Sequence, residues 1–264
     1  MSNPIIAIMS HQRPEVLKCN TLDYLQSVGT EFKIFVFCSG KNDTNKYQIF
    51  FNNHFMNTQL YFISGPDNYL EKCNYIYSYF PTDQEVFFME DDIKELSILN
   101  VNNKLSKLTL FDVWVEDGFN ECKKKKSKIF GIYPVYNEYF MKHRITYDFK
   151  FLIANAFGYI STLNNKNLLL HSEAKTDYER SVLYYINYGK IIRYNNIGAK
   201  TNNYTTIGGL NDHLRKDREE EGVLYLTTMY PEYFAYKKNT NSKFEEIKTK
   251  KIKMGEIKKS LLYL

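Results

Sequence analysis

Long hydrophobic runs are missing from this sequence. Apolar stretches such as 85–89 fall far short of the roughly 18 residues a membrane span needs, so no transmembrane segment is expected. The N-terminus has no basic flank and no small-residue cleavage site, which argues against a signal peptide and predicts a cytoplasmic protein, or one of the host cytoplasm if it is viral. Cysteine is sparse: Cys19, Cys38, Cys73 and Cys122 are the only four. They lie too far apart in sequence for a zinc pair, and no disulfide framework is expected in that compartment. Alanine is also scarce, while lysine, asparagine, tyrosine, phenylalanine and isoleucine abound. AT-rich codons give such a bias, as in a virus, a phage or a low-GC microbe.

What is present is ordinary for a globular chain: 44% hydrophobic and 25% charged residues over 264 positions. That composition excludes a disordered or fibrous protein, and the length suits one α/β domain. The net charge of +5 is unevenly placed. Residues 237–264 carry nine lysines against three glutamates, and a second basic cluster runs from Lys123 to Lys128. Such clusters either attract phosphate backbones or form solvated faces.

The first half alternates short apolar runs with segments of helical spacing, the βαβ pattern of a mainly parallel sheet. Strands are predicted at Ile5–Ser10, Lys33–Phe37, Leu60–Ile63 and Glu85–Met89. Pro14 opens a helix through Leu17, Leu22 and Leu25, and Asp67 caps a second one reaching Phe80. The second half reads as α+β additions, with strands at Lys128–Tyr133, Phe151–Ile160 and Lys190–Tyr194 and a helix at Asp177–Tyr188. A domain over residues 1–236 is expected, followed by a basic helix or tail at 237–264.

The predicted fourth strand runs directly into Glu90, Asp91 and Asp92. Ligands of open α/β sheets bind beyond the carboxyl ends of strands. Three adjacent carboxylates need a cation or solvent to offset their repulsion, and a divalent ion held with a substrate diphosphate supplies one. On an extended chain Glu90 and Asp92 share a side and Asp91 points away. A solvated acidic turn is the plain alternative.

These residues resemble the Asp-x-Asp motif of GT-A fold glycosyltransferases. The resemblance implies a GT-A-like, mainly parallel central sheet flanked by helices, a nucleotide-sugar donor such as a UDP-sugar, and Mn²⁺ or Mg²⁺. It gives Glu90 the ribose or sugar contact and Asp92 the metal, with Asp91 between them. It also makes Ser10 and Arg13, in the loop closing the first strand, nucleotide contacts, and it places Asn74, with Lys72 nearby, on a helix under the same pocket. Arg13 in solvent and Asn74 as a plain surface residue are the alternatives.

Sugar transfer needs a base for the acceptor hydroxyl, and a carboxylate at a helix N-terminus is well placed for it. Asp177 is the candidate, with Glu179 and Glu173 as competitors and helix capping as the alternative. The segment Tyr204–Arg215, with Gly208 and Gly209, reads as a substrate loop. By resemblance His213 is a further metal contact. Arg215 and Arg218 suit a diphosphate or an acceptor phosphate, unless Arg218 pairs with Glu219–Glu221.

The order of these parts resembles one branch in particular, the TET-associated glycosyltransferases of phages and eukaryotes, relatives of the base J glucosyltransferase. That resemblance spans about residues 4–235 and implies an enzyme that glycosylates hydroxymethylpyrimidines in DNA. The basic clusters would then supply phosphate contacts without sequence readout. The segment Tyr136, Tyr139, Phe140, His143 and Arg144 would fill a vacated base stack, unless its aromatics are core. Two other readings stay open: a GT-A enzyme acting on a protein, glycan or lipid, and a non-catalytic nucleic-acid-binding protein on a degenerate transferase fold.

Overall fold

The computed structural model describes residues 3–52, 59–163, 165–201, 215–237 and 246–252. The apolar run after Pro4 forms β1 (Ile5–Met9). Pro14 takes the first position of α1 (Pro14–Leu17), where its fixed φ and missing N–H cost nothing. The helix continues through a π-helical turn, Lys18–Leu22, into α2 (Asp23–Val28), and Gly29 ends it in the left-handed region. Then follow β2 (Lys33–Ser39), α3 (Gly40–Asn52), β3 (Leu60–Gly65), α4 (Tyr69–Tyr79) and β4 (Glu85–Glu90). The cap of α4 is Asn68 rather than the expected Asp67: its side chain accepts the Glu71 N–H at 3.0 Å.

The chain continues through β5 (Ile93–Leu99), β6 (Leu105–Lys107), α5 (Phe111–Lys125), β7 (Ile129–Ile132), β8 (Ile145–Thr146) and β9 (Ala156–Ile160). It ends with α6 (Thr176–Tyr188), β10 (Ile192–Tyr194), β11 (Ile197–Thr201), α7 (Arg215–Met229), β12 (Phe234–Tyr236) and β13 (Ile247–Thr249). The expected strand at Phe151–Ile160 is shorter, because Leu152 bonds side chains instead of a ladder: its carbonyl accepts from Arg180 and its N–H donates to Ser181.

The main sheet has the order β3-β2-β1-β4-β9-β7-β10-β8. β3, β2, β1 and β4 are parallel, as are β7 and β10, while β9 runs antiparallel between β4 and β7 and β8 antiparallel to β10. Alternation along the strands feeds two cores. Ile6, Ile8, Phe87 and Met89 face one, and Ile5, Ala7, Val86 and Phe88 the other. A small antiparallel sheet, β11-β5-β6, starts where the acidic trio ends.

β13 pairs with β12, Ile247 opposite Tyr236, and Ile247 and Phe234 are both buried in the second core. Of the expected basic helix or tail, residues 237 and 246–252 are described, and Ile247–Thr249 among them forms a strand. Among the described residues no helix is long and apolar enough to cross a membrane. All four cysteines are thiols, three of them buried.

Candidate active site

The chain lays down β2 and β3 on one side of β1 and then returns to place β4 on the other. A crevice opens where the order reverses, beyond the carboxyl ends of β1 and β4. The loop after β1 and the turn after β4 meet there.

Their junction is a hydrogen-bonded relay with one internally consistent polarity. Arg13 N–H donates to the Tyr47 hydroxyl at 3.0 Å. Tyr47 and Ser10 hydroxyls are 2.5 Å apart, and Ser10 donates to Asp91 Oδ2 at 2.5 Å. The Arg13 guanidinium closes on the same carboxylate through Nε at 2.8 Å and a terminal nitrogen at 2.5 Å. Asp91 is therefore not the acid that points away. It is fully buried and anchors the two loops, while Arg13, expected as a nucleotide contact, is bound to it. The extended-chain expectation fails because the strand stops at Glu90 and Asp91-Asp92 form a turn. Thr21, set in the π-helical turn, pins that turn by donating to Glu90 O at 2.7 Å and accepting from Ile93 N–H at 3.0 Å.

Two adjoining cavities occupy the crevice. The first, about 380 Å³, is lined by residues that include Ser10, His11, Arg13, Lys72, Glu90 and Asp91. The second, about 370 Å³, is lined among others by Phe151, Lys175, Thr176, Asp177 and Tyr178. Tyr69, Glu173 and Arg218 line both, so the two form one cleft. Arg218 pairs with Glu173 at 3.3 Å and Lys175 with Glu219 at 2.6 Å, which ties α7 to the loop before α6. Gln12, between the lining residues His11 and Arg13, and Lys175, which lines the second cavity, both hold the left-handed conformation that non-glycine residues seldom adopt.

The cleft's electrostatics follow from its acids. Burial, then the charges of Asp92 and Asp91, push the Glu90 carboxyl up to about 8. Burial also raises Asp91, against the pull of Arg13, and raises Asp92, with Asp91 adding to it. Asp177, at the N-terminal turn of α6, is raised by burial although Arg180 opposes the shift. The charge of Asp177 is also felt at Glu90, so the acids of the two cavities act on each other. Lys72, only 2% exposed, is lowered by burial, as is His11.

Among the described residues no group of three His, Cys, Asp or Glu side chains can hold an ion. Asp92 Oδ1 is nonetheless buried without a hydrogen-bond partner. So is Oδ1 of Asn155, whose backbone carbonyl accepts the Glu90 N–H at 2.9 Å. Acceptors left bare beside an acid pair fit a cation that takes one or two carboxylates and completes its shell with phosphate oxygens and water. They do not fit an all-protein cage.

Two expected site residues lie elsewhere. Asn74 spends its side chain on the backbone of Leu170, donating at 2.9 Å and accepting at 2.9 Å, and lies outside the cleft lining. Glu179 is fully buried and receives His171 N–H, Ser172 N–H and the Tyr225 hydroxyl, each at 3.0 Å. It braces the loop before α6 and lines neither cavity. Asp92 is not among the lining residues of the first cavity either. His213, Gly208 and Gly209 lie outside the described residues, and of Arg215 only its place at the start of α7 is described.

Tyr69, which bridges the cavities and sits 3.3 Å from the Thr176 hydroxyl, had no sequence motif to mark it. Helical spacing was the available signal. Tyr69 and Lys72 are one turn apart on α4, whereas Asn74 is about 200° round from Lys72.

The basic features divide. Lys123 pairs with Glu85 at 2.6 Å, Lys124 with Glu121 at 3.2 Å and Lys128 with Asp83 at 2.9 Å, while Lys125 lies 4.7 Å from the Tyr147 ring centre. This run is largely answered within the molecule. Tyr139 and Phe140 are instead 79% and 51% exposed, beside exposed Lys142, His143 and Arg144, so these two aromatics are not core. Tyr136 is anchored by its hydroxyl, 3.0 Å from Ser97 Oγ.

No protein family and no curated protein matches the sequence. Solved structures do match. The chain is similar to Staphylococcus aureus TarS 1–349 in complex with UDP-GlcNAc, with TM-score 0.54 and 10% identity over 86% of this chain and 67% of that one. It is similar to the same protein in complex with UDP, with TM-score 0.52 and 11% identity over 86% of this chain and 66% of the other. The chain spans 40% of the longer TarS structure and 59% of another structure of TarS 1–349. At such identity the likeness establishes the fold, which is GT-A-like.

Proposed function

We propose that this chain is a nucleotide-sugar-dependent glycosyltransferase, and that its acceptor is the hydroxyl of a 5-hydroxymethylpyrimidine in DNA. One observation carries the reading. A single cleft at the switch point of the sheet joins Glu90 and Asp91, where the acidic turn begins, to Asp177, a carboxylate raised by burial. The first cavity takes the nucleoside diphosphate and the second the acceptor. TarS, which shares the fold, binds UDP-GlcNAc, and a UDP-sugar is the donor proposed here.

Glu90 and Asp92 would hold a Mn²⁺ or Mg²⁺ ion, which when bound neutralises charge on the diphosphate. Glu90 faces the ribose or sugar, and Asp91 with Arg13 and Ser10 keeps the turn in place. Asp177 accepts the proton of the attacking hydroxyl as its oxygen bonds the anomeric carbon and the bond from that carbon to the diphosphate oxygen breaks. A base with an elevated pKa suits that task near neutrality.

The exposed Tyr139 and Phe140, flanked by Lys142, His143 and Arg144, support a DNA acceptor. Aromatic faces stack on displaced bases and cations meet phosphates. The test is incubation with a panel of nucleotide sugars, a divalent ion and DNA with or without hydroxymethylpyrimidine, followed by nucleoside mass analysis. A mass gain of one sugar on the modified base is expected, falling about 10²- to 10⁴-fold in Asp177→Asn. Transfer that Asp177→Asn leaves intact contradicts the site. Turnover without DNA contradicts the acceptor.

A further inference from the structure

Arg180, on α6, is 2% exposed, and among the described residues it hydrogen-bonds to no carboxylate. Its guanidinium donates to Leu152 O at 3.0 Å and to the Tyr77 hydroxyl at 3.3 Å, and it lies 3.8 Å from the Phe157 ring centre. Nε is buried without a partner. A guanidinium cannot shed its charge in a protein, and a buried charge answered only by neutral groups is costly. An apolar side chain would fill the same space without that cost. The seat is nonetheless built by three elements: α4 supplies Tyr77, the loop before β9 Leu152, and β9 Phe157.

Asp177 is the neighbour that gives this charge a use. The two residues are three apart on α6, with about 5–6 Å between their Cβ atoms. Burial raises the Asp177 carboxyl, and the Arg180 charge is the strongest one opposing it. Asp177 is in turn the carboxylate whose charge acts on Arg180. The other groups around Asp177 are committed elsewhere. Lys175 adds a weaker pull but pairs with Glu219, and Arg218, in the lining of the same cavity, pairs with Glu173. Burial keeps the Tyr69, Tyr77 and Tyr178 hydroxyls protonated, and an ionised Glu90 across the cleft repels charge on Asp177.

We infer, on the reading of Asp177 as the proton acceptor, that Arg180 is its positioning residue, a guanidinium fixed one helical turn along α6 that keeps the carboxylate ionised and ready to take the acceptor's proton. Arg180 touches neither donor nor acceptor, since it lines neither cavity. It acts through Asp177.

Carboxyl ¹³C NMR of the full chain labelled at aspartate reads that charge without donor, acceptor or turnover, the Asp177 signal being assigned by its loss in Asp177→Asn. In Arg180→Gln, which keeps an amide donor for Leu152, the Asp177 midpoint is expected to rise by about 1 to 3 pH units over the wild type. Arg180→Lys keeps the charge and should leave the midpoint near the wild-type value. An unmoved midpoint in Arg180→Gln overturns the role. So does a rise in Arg180→Lys as large as that expected of the neutral variant, which decides the matter if the glutamine variant fails to fold. Transfer followed across pH gives a second readout: the acid limb of kcat/KM should move up in Arg180→Gln and the rate recover at higher pH. A loss equal at every pH marks a merely structural role and overturns the inference. Transfer that survives Asp177→Asn contradicts the reading of Asp177 as the proton acceptor, whatever the titration shows.

Discussion

Asp91 has no solvent contact and, among the described residues, one cationic partner, the Arg13 guanidinium. Removing one member of a buried pair leaves the other's charge uncompensated, at a cost of about 3–5 kcal/mol. Arg13→Ala is therefore expected to lose about 3 kcal/mol or more in chemical denaturation, and a loss below about 1 kcal/mol would show that Asp91 finds another partner. Glu90 gives a dependence on pH. Its folded carboxyl sits at about 8, above the ordinary 4.5, because of burial and then the charges of Asp92 and Asp91. Between those two values the folded state holds a proton that the unfolded state has released, so stability falls as pH rises through the window and levels off above about 8. Glu90→Gln, which stays neutral, should raise the melting temperature of the ligand-free protein more at pH 8 than at pH 5. Parallel melting curves across that range would count against the assigned burial.

Several elements owe their place to single side chains. Thr21 bonds both ends of the acidic turn only because the helix widens into a π-turn beneath it, a distortion often found at functional sites. Thr21→Val should cost about 1–3 kcal/mol through the unpaired Ile93 N–H and should weaken donor binding, as read by denaturation and by UDP titration. The packing of α5 on β7 and β9 depends on two glycines. A Cβ on Gly118 or Gly158 would meet the Phe130 ring at 2.4 Å or 2.0 Å. Gly158→Ala is expected to destabilise by about 1–3 kcal/mol, and a neutral melting curve would show that the ring can move.

The same elements explain what could be read from sequence. β1, β2 and β4 are contiguous apolar runs, because both faces of a central parallel strand are covered, and they were legible, as was the edge strand β3. α3 was not, since its buried face includes Asp43 and Thr44 with Tyr47 and Phe51. α5 did carry a signal in Phe111, Trp114, Val115, Phe119 and Cys122, all buried at helical spacing, which the lysines at its end obscured. The acidic trio was legible as a cluster, but the role of each acid was not. Their division depends on the chain turning at Asp91, and on Arg13, Ser10 and Tyr47 arriving from distant positions. Asn74 and Glu179 lay beside cleft-lining residues in sequence and outside the cleft lining in space.

At the scale of the whole molecule, the parallel half supplies the acid turn and the wall with His11 and Lys72, and the later α+β elements supply Asp177 and the far wall. Neither half encloses the cleft alone. Tyr69 from α4, Glu173 from the loop before α6 and Arg218 from α7 meet between the two cavities. The exposed aromatic and basic segment 139–144, rather than the internally paired lysines of α5, is where a polyanionic acceptor is expected to dock. Replacing Tyr139 and Phe140 together by alanine should weaken duplex binding in a salt-titrated mobility assay and leave UDP binding unchanged. Equal loss of both would contradict a separate acceptor surface.

The most direct test of the account is a crystal structure of the protein with a non-hydrolysable UDP-sugar and Mn²⁺. The account predicts the diphosphate and metal beside Glu90 and Asp92, the nucleoside in the first cavity, and the anomeric carbon open towards Asp177. Density for the nucleotide elsewhere, or an empty cleft at saturating ligand, would contradict it.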